Sequence, residues 1–232
     1  MFQMVFQRHE LKYLLDDAQR HRLEALVSRH MQPDAYGPST VCNLYYDTPS
    51  LLLGRRSIAR PTYKEKIRVR SYGVSDGASP VFVELKKKFR GVTYKRRVSL
   101  LPAQAASLLA GQGPLDTQIE REIDFAARRY EDLAPRAFIG YDRNAFFSPE
   151  DSNFRMTFDE SLRVRWDWLS LAAGDDGDPL LEEGLTVLEV KCLGGMPLWL
   201  VGFFSAEGLH KVGWSKYGTA CKVRMGMVPA QG

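Results

Sequence analysis

Lysine and arginine recur at every second position in several short segments of this chain. Lys64, Lys66, Arg68 and Arg70 alternate with residues that include Ile67 and Val69. Glu84, Lys86 and Lys88 alternate with Val83 and Leu85, and Lys95 and Arg97 follow in the next segment. Further along, Tyr141 and Arg143, then Arg155, Thr157 and Asp159, then Arg163 and Arg165, and finally Glu189 and Lys191 keep the same spacing. In a β-strand, residues two apart point the same way, so each segment turns its charges to one face and its apolar residues to the other.

On a single strand this pattern describes a solvated face. An ordinary solvated face, however, mixes Ser, Thr, Glu and Lys, whereas these faces carry mostly cations with a few isolated carboxylates. Two cations ~6 Å apart repel by about 3 kcal/mol at an effective dielectric near 20, so a set of strands gathered around such charges calls for a polyanion. Phosphate oligomers suit it: arginine forks bind them bidentately, lysines supply point charges, and the few carboxylates can hold a divalent ion that bridges phosphate oxygens. Nucleic acid is the rival polyanion, and the pI of about 8.9 allows it. Its stacking aromatics should interleave with the cations, yet the intervening residues are Ile67, Val69, Val83 and Leu85, so no nucleic-acid partner is expected.

The elements that must position these charges read as strands with peripheral helices. A strand is predicted over Arg8 to Leu14, then a helix from Asp16 to about His30 with Asp16 or Asp17 as its cap, then a strand over Val41 to Asp47 and a short helix over Leu51 to Arg60. Thr62 to Tyr72, Val81 to Phe89 and Val92 to Leu100 form three basic strands, the last two a hairpin turning at Arg90-Gly91. Pro102 opens a helix to about Leu109, and a second runs from Asp116 to Leu133. Strands resume at Arg136 to Phe147, Phe154 to Phe158, Leu162 to Trp168 and Thr186 to Cys192, with a surface loop at Gly174 to Gly184 and a short helix over Ser215 to Val223. About eight strands without a βαβ rhythm predict a mainly β, α+β chain whose antiparallel sheet closes on itself, in a single domain over residues 1–232.

Composition fits a compact fold, with 44% hydrophobic and 26% charged residues, and 32 Lys and Arg offset by 28 Asp and Glu. Cys42, Cys192 and Cys221 are odd in number and lack CxxC spacing, which points away from a disulfide framework or a zinc site and towards a reducing compartment. The most apolar segment, Met196 to Phe204, falls far short of the ~20 residues that span a bilayer, and the first residues lack signal-peptide regions, so a cytoplasmic protein with no membrane span is expected. The four histidines share no spacing and read as structural or surface residues, and Trp166, Trp168, Trp199 and Trp214 read as packing.

In order along the chain, Arg8-His9-Glu10-Leu11-Lys12-Tyr13, Tyr45-Tyr46-Asp47-Thr48, Lys66-Ile67-Arg68-Val69-Arg70-Ser71-Tyr72, Val83-Glu84-Leu85-Lys86, Lys95-Arg96-Arg97, Tyr141-Asp142-Arg143, Leu188-Glu189-Val190-Lys191 and Ser215-Lys216-Tyr217 carry a resemblance. Together they resemble the polyphosphate polymerase domain of the vacuolar transporter chaperone (VTC) family, within the triphosphate tunnel metalloenzyme (CYTH-like) superfamily. The resemblance covers nearly the whole chain. It implies a closed eight-stranded antiparallel β-tunnel with peripheral helices, in which the γ-phosphoryl group of ATP extends a polyphosphate chain with a divalent metal, Mn²⁺ or Mg²⁺.

Carried onto this sequence, the resemblance implies that Lys12, Arg68, Arg70, Lys86, Lys95, Arg143 and Lys216 contact phosphates and that Glu189 holds the metal. Lys12, Arg68, Arg70, Lys86, Arg143 and Glu189 form the expected catalytic set. Lys66 and Arg97 join the phosphate-binding residues on the same faces, Arg155 adds a contact, and Tyr141 and Ser215 hydrogen-bond phosphate oxygens, Ser215 being equally suited to cap a helix. Glu10 and Glu84 are second candidates for metal or water. One departure stands out: tunnel triphosphatases begin with ExExK, and here Arg8 replaces the first carboxylate ahead of Glu10 and Lys12. Fewer carboxylates lower the capacity for two metals and favour a long anionic product over hydrolysis. A metal-dependent tripolyphosphatase or nucleoside triphosphatase, or a non-catalytic polyphosphate-binding module, are the alternatives on the same scaffold. Expected partners are ATP or another triphosphate and polyphosphate, with a separate membrane protein a candidate recipient of the product.

Overall fold

The protein is described from a computed structural model over residues 9–90 and 92–227. Arg8 and Gly91, both used above, lie outside the described residues. In chain order the elements are β1 (His9–Leu15), α1 (Asp17–His30), β2 (Gln32–Pro33), β3 (Ser39–Asp47), α2 (Leu52–Ala59), β4 (Tyr63–Tyr72), β5 (Val81–Phe89), β6 (Val92–Leu100), α3 (Pro102–Leu109) and α4 (Gln118–Ala127). They continue with β7 (Ala134–Phe147), β8 (Arg155–Arg165), β9 (Asp178–Pro179), β10 (Thr186–Cys192), α5 (Leu198–Ala206) and α6 (Lys216–Arg224).

The chain divides into two compact units, each of which gathers separate segments. The first takes the chain up to Ser39 together with Tyr141–Ser161 and Leu181–Trp214, and the second takes Thr40–Gly140, Leu162–Leu180 and the chain from Ser215 on. Strand order in the first is β1-β10-β8-β7 and in the second β7-β3-β4-β5-β6, so the long strands β7 and β8 contribute residues to both. The pairings β1–β10, β10–β8, β3–β4, β4–β5 and β5–β6 are all antiparallel.

Within the second unit, Ile67, Val69, Val81, Val83 and Leu85 pack with Ala105, Leu108 and Leu109 of α3 and Ile123, Ala126 and Ala127 of α4 in one buried cluster. Each fully buried aliphatic side chain contributes about 1.5–3 kcal/mol relative to exposure, whereas a one-residue slip of β4 would bury Lys66 and Arg68 there instead. The apolar parity therefore goes to the helices and the cationic parity to the opposite face. The first unit repeats this with Tyr13 and Leu15 of β1, Met156 and Phe158 of β8, and Leu188 and Val190 of β10, packed with Leu23 and Val27 of α1 and Leu200 and Phe204 of α5.

Local signals set most boundaries. Asp16 accepts from the Gln19 backbone N–H at 2.7 Å while the Gln19 side chain accepts from the Asp16 N–H at 3.1 Å, a reciprocal cap that starts α1 where the sequence placed it. Two predictions are corrected and one helix is new. The segments Phe154 to Phe158 and Leu162 to Trp168 form a single strand, β8, which passes the polar Asp159-Glu160-Ser161 step through a left-handed Ser161 at φ 46°. The helix predicted from Asp116 to Leu133 is only Gln118–Ala127, because Thr117 and Glu120 cap it reciprocally and Tyr130 beyond its end turns in to hydrogen-bond Glu65. Finally, α5 was not predicted: Pro197 precedes a nine-residue helix that is apolar on all sides and so carries no helical period. Among the described residues, no helix is long and apolar enough to cross a membrane.

Candidate phosphate-binding site

The second unit brings nine of the predicted residues together, and strand register explains how. Tyr45 pairs with Arg68, Arg68 with Glu84, and Glu84 with Arg97, giving one transverse row across β3, β4, β5 and β6. The next row on the same face is Lys66, Lys86 and Lys95, each directly opposite the next. Like charges placed directly opposite one another destabilise a sheet, and here Glu84 takes Lys95 at 2.6 Å while the Ser215 hydroxyl takes Lys66 at 2.6 Å.

Glu84 is the anion at the centre. It is 1% exposed, and its carboxylate takes Arg68 Nη2 at 2.6 Å, Lys95 Nζ at 2.6 Å, Arg97 Nε at 3.1 Å and Arg70 Nε at 4.0 Å. Burial alone would raise this carboxyl, yet Arg68, Arg70 and Lys95 outweigh it and hold it well below the usual carboxylate range. Arg68 also donates to Tyr45 Oη at 3.0 Å, and Arg70 Nε donates to Asn43 Oδ1 at 3.0 Å, while Asn43 Nδ2 donates to the Ile139 carbonyl at 3.0 Å. The geometry thus gives Glu84, expected as a metal or water ligand, a different position: an anchor for four cations.

Lys95 titrates unusually. Desolvation, together with the neighbouring Arg68 and Arg70, lowers its ammonium to about 8 in spite of Glu84 beside it, although its side chain stays partly exposed. Because this value lies below the ordinary lysine range, the unfolded chain holds the proton over the interval from about 8 to the ordinary value, and stability of the empty protein rises with pH there. An added phosphate anion favours the charged ammonium, so tripolyphosphate binding at pH 8 should take up protons and weaken as pH rises further. Calorimetric titration in buffers of different ionisation enthalpy checks this, and proton release on binding would contradict it.

Helix α6 supplies the remaining groups of this unit. Ser215 caps it by accepting from the Gly218 N–H at 3.1 Å, and the same hydroxyl accepts from Lys66 Nζ at 2.6 Å, so the capping reading and a place beside the lysine row both hold. Lys216, the first helical residue, is buried. What fixes this end of α6 was not read from the sequence. The buried Asp47 carboxylate accepts from the backbone N–H groups of Thr48, Leu53 and Gly54 at 2.7, 2.9 and 2.8 Å and from the Tyr217 hydroxyl at 2.6 Å, joining α2 to α6. The Tyr217 ring stacks on Tyr45 with centroids 4.5 Å apart. The signal was present in Tyr45-Tyr46-Asp47 and Ser215-Lys216-Tyr217, although it gave no hint of their mutual contact.

The first unit gathers Glu10, Lys12, Tyr141, Arg143, Arg155 and Glu189. Register sets Lys12 opposite Glu189 and Glu189 opposite Thr157, with Glu10, Lys191 and Arg155 in the adjoining row. Lys12 Nζ lies 2.8 Å from Glu189 Oε1 and 3.9 Å from Glu10, while Arg143 Nη2 and Lys191 Nζ lie 3.6 and 3.9 Å from Glu189 Oε2. Arg143 forms a bidentate pair with the fully buried Asp159 at 2.6 and 2.7 Å and lies 5.1 Å from the Tyr141 ring. Burial works against the Arg143 guanidinium, but Asp159 and Tyr141 more than offset it and keep it charged. Arg155 is exposed at the end of its row.

Two further alternating cations serve a loop instead. Arg163 binds Asp175 at 2.7 Å, and Arg165 binds the Asp176 side chain and the carbonyls of Asp167, Asp176, Trp168 and Ser170. Trp168, read as packing, is 79% exposed, whereas Trp199 stacks on His30 at 4.7 Å and contacts Phe154 edge-on.

A divalent metal has been expected on Glu189, with Glu10 and Glu84 in support. Among the described residues, no three of His, Cys, Asp or Glu form a cage. Glu189 and Glu10 nevertheless share a face with the buried hydroxyl of Thr157, which has no hydrogen-bond partner among the described residues. Such a set fits a hard cation that takes its other oxygens from phosphates, as magnesium commonly does.

Two solved structures share the fold of this chain. A candidate adenylyl cyclase from Hippeastrum, described as having a dominant triphosphatase activity, aligns with a TM-score of 0.53 and 16% identity, covering 95% of this chain and 97% of its own. A candidate adenylate cyclase from Bacillus halodurans aligns with a TM-score of 0.50 and 11% identity over 89% and 94% of the two chains. At these identities the likeness is one of fold. No curated protein matches the sequence. The VTC domain matches residues 7–225, and the chain belongs to that family.

Proposed function

We propose that this chain is a polyphosphate polymerase that transfers the γ-phosphoryl group of ATP to a growing inorganic polyphosphate chain. In this reading residues 1–232 act as one domain whose strands close into a tunnel. The observation that carries the proposal is the gathering of Lys66, Lys86, Lys95, Arg68, Arg70 and Arg97 on one sheet face around a single buried carboxylate, Glu84. A chain of phosphates presents acceptor oxygens to such a face along its whole length.

The reaction needs little covalent help from the protein, since phosphoryl transfer depends on alignment and on neutralising charge. Arg68, Arg70, Lys86 and Lys95 hold the triphosphate, with Lys66, Arg97, Ser215 and Lys216 extending the contacts. Lys12 and Arg143 bind phosphate oxygens beside Glu189, and Tyr141 and Arg155 add contacts there. A terminal phosphate oxygen of the chain forms the new P–O bond to the γ-phosphorus as the bond to the β–γ bridging oxygen breaks, and ADP departs with that electron pair. Mn²⁺ or Mg²⁺, held by Glu189 and Glu10, would supply charge neutralisation on the transferring group. Glu84 keeps the guanidinium groups aligned. We place the activity in the cytoplasm, with a separate membrane protein as a candidate recipient of the product.

The description of the Hippeastrum protein favours a second reading, hydrolysis of a triphosphate on the same scaffold. Purified protein incubated with ATP and Mn²⁺ separates the readings on a polyacrylamide gel. Long phosphate chains are the expected product. Free phosphate alone would assign hydrolysis, and tight binding with neither product would leave a polyphosphate-binding module.

A further inference from the structure

Thr157 is 6% exposed, and its Oγ1 is sealed from solvent without a hydrogen-bond partner among the described residues. A buried hydroxyl left unpaired is costly and uncommon in a folded protein. Its place makes it informative. Thr157 lies on β8 between Arg155 and Asp159 on the same face, and it is the direct cross-strand partner of Glu189. Side chains directly opposite one another in an antiparallel pair are near enough to touch.

In this arrangement Glu189 is occupied by Lys12 at 2.8 Å, with Arg143 and Lys191 at 3.6 and 3.9 Å. Lys12 and Arg143 are also the cations that the proposed function assigns to phosphate. A phosphate ligand competes with Glu189 for both cations. A buried carboxylate that loses its cations needs another donor, and a threonine hydroxyl can rotate to supply one.

We propose that Thr157 is a positioning residue for Glu189: its hydroxyl donates to the Glu189 carboxylate once a phosphate ligand draws Lys12 and Arg143 away. The orphaned hydroxyl is then a donor held for the liganded state. Carboxylates that bind metals are commonly oriented by such a neighbour, so the same contact would aim Glu189 at a cation. This inference rests on the phosphate-binding reading above.

The test compares wild type, Thr157→Val and Thr157→Ser, using inorganic tripolyphosphate without metal as the probe. Valine keeps the shape and removes the donor. Because the hydroxyl has no partner in the unliganded protein, Thr157→Val should leave the unliganded thermal midpoint unchanged or raised while weakening tripolyphosphate binding about tenfold, and Thr157→Ser should restore affinity. A lowered unliganded midpoint would show that the hydroxyl already has a structural partner and would overturn the inference. Equal binding by wild type and Thr157→Val would overturn it too, leaving the phosphate-binding reading intact. Failure of the wild type itself to bind tripolyphosphate would remove both.

Discussion

Replacing Glu84 with alanine should lower the thermal midpoint of the unliganded protein by about 10 °C, and tripolyphosphate should return much of that loss. The carboxylate is 1% exposed and lies within 4.0 Å of cationic nitrogens from Arg68, Arg70, Lys95 and Arg97. Removing one side of a buried ion pair costs about 3–5 kcal/mol, and here the charges left behind in the interior are the guanidinium groups of Arg70 and Arg68, whose side chains are 7% and 20% exposed. For a chain of this size that is a shift of about 10 °C. An anionic ligand replaces the missing charge, and the released guanidinium groups can turn towards it. Ligand at about a hundred times its Kd adds about 2.7 kcal/mol to any protein that binds it only when folded, so the comparison is of shifts. Tripolyphosphate should raise the midpoint of Glu84→Ala by more than it raises that of wild type. Equal shifts would mean that these cations do not meet the ligand.

Glu189→Ala should reduce turnover by at least about a thousandfold while tripolyphosphate binding stays within a few-fold of wild type or tightens. A metal that neutralises the transferring group contributes several kcal/mol to the transition state, which corresponds to that factor. Binding behaves differently, since Glu189 competes with phosphate for Lys12 and Arg143 in the empty site. Arg68→Ala is the contrasting variant. It removes a guanidinium that bridges Glu84 and Tyr45, so both affinity and turnover should fall. Single-turnover kinetics and calorimetric titration on the two variants give the measurement, and unchanged turnover in either one would remove the site assignment.

Much of the scaffold was legible from local signals. The bounds of β5, β6, α3 and β10 were read directly, because alternation, a turn and an N-terminal proline are properties of neighbouring residues. The cation faces of β4 and β5 were legible for the same reason: Ile67, Val69, Val83 and Leu85 have to be buried together, and Lys66, Arg68 and Lys86 follow by parity. Helix α5 was missed because a helix apolar on all sides shows no period. Glu65 was passed over as another strand residue, although it is buried on the apolar face and held by the hydroxyls of Tyr63 and Tyr130.

By itself, then, the amino-acid order determined which side of each strand a charge occupies, since side-chain direction alternates with a period of two whatever the strand pairs with. Only the tertiary structure decided which charges meet. That Glu84 gathers four cations, that Lys66, Lys86 and Lys95 fall in one row, and that Asp47 ties Tyr217 to α2 all depend on register between distant segments. Register is set by the burial of the opposite face and by strand order, and neither is a property of any short stretch of sequence.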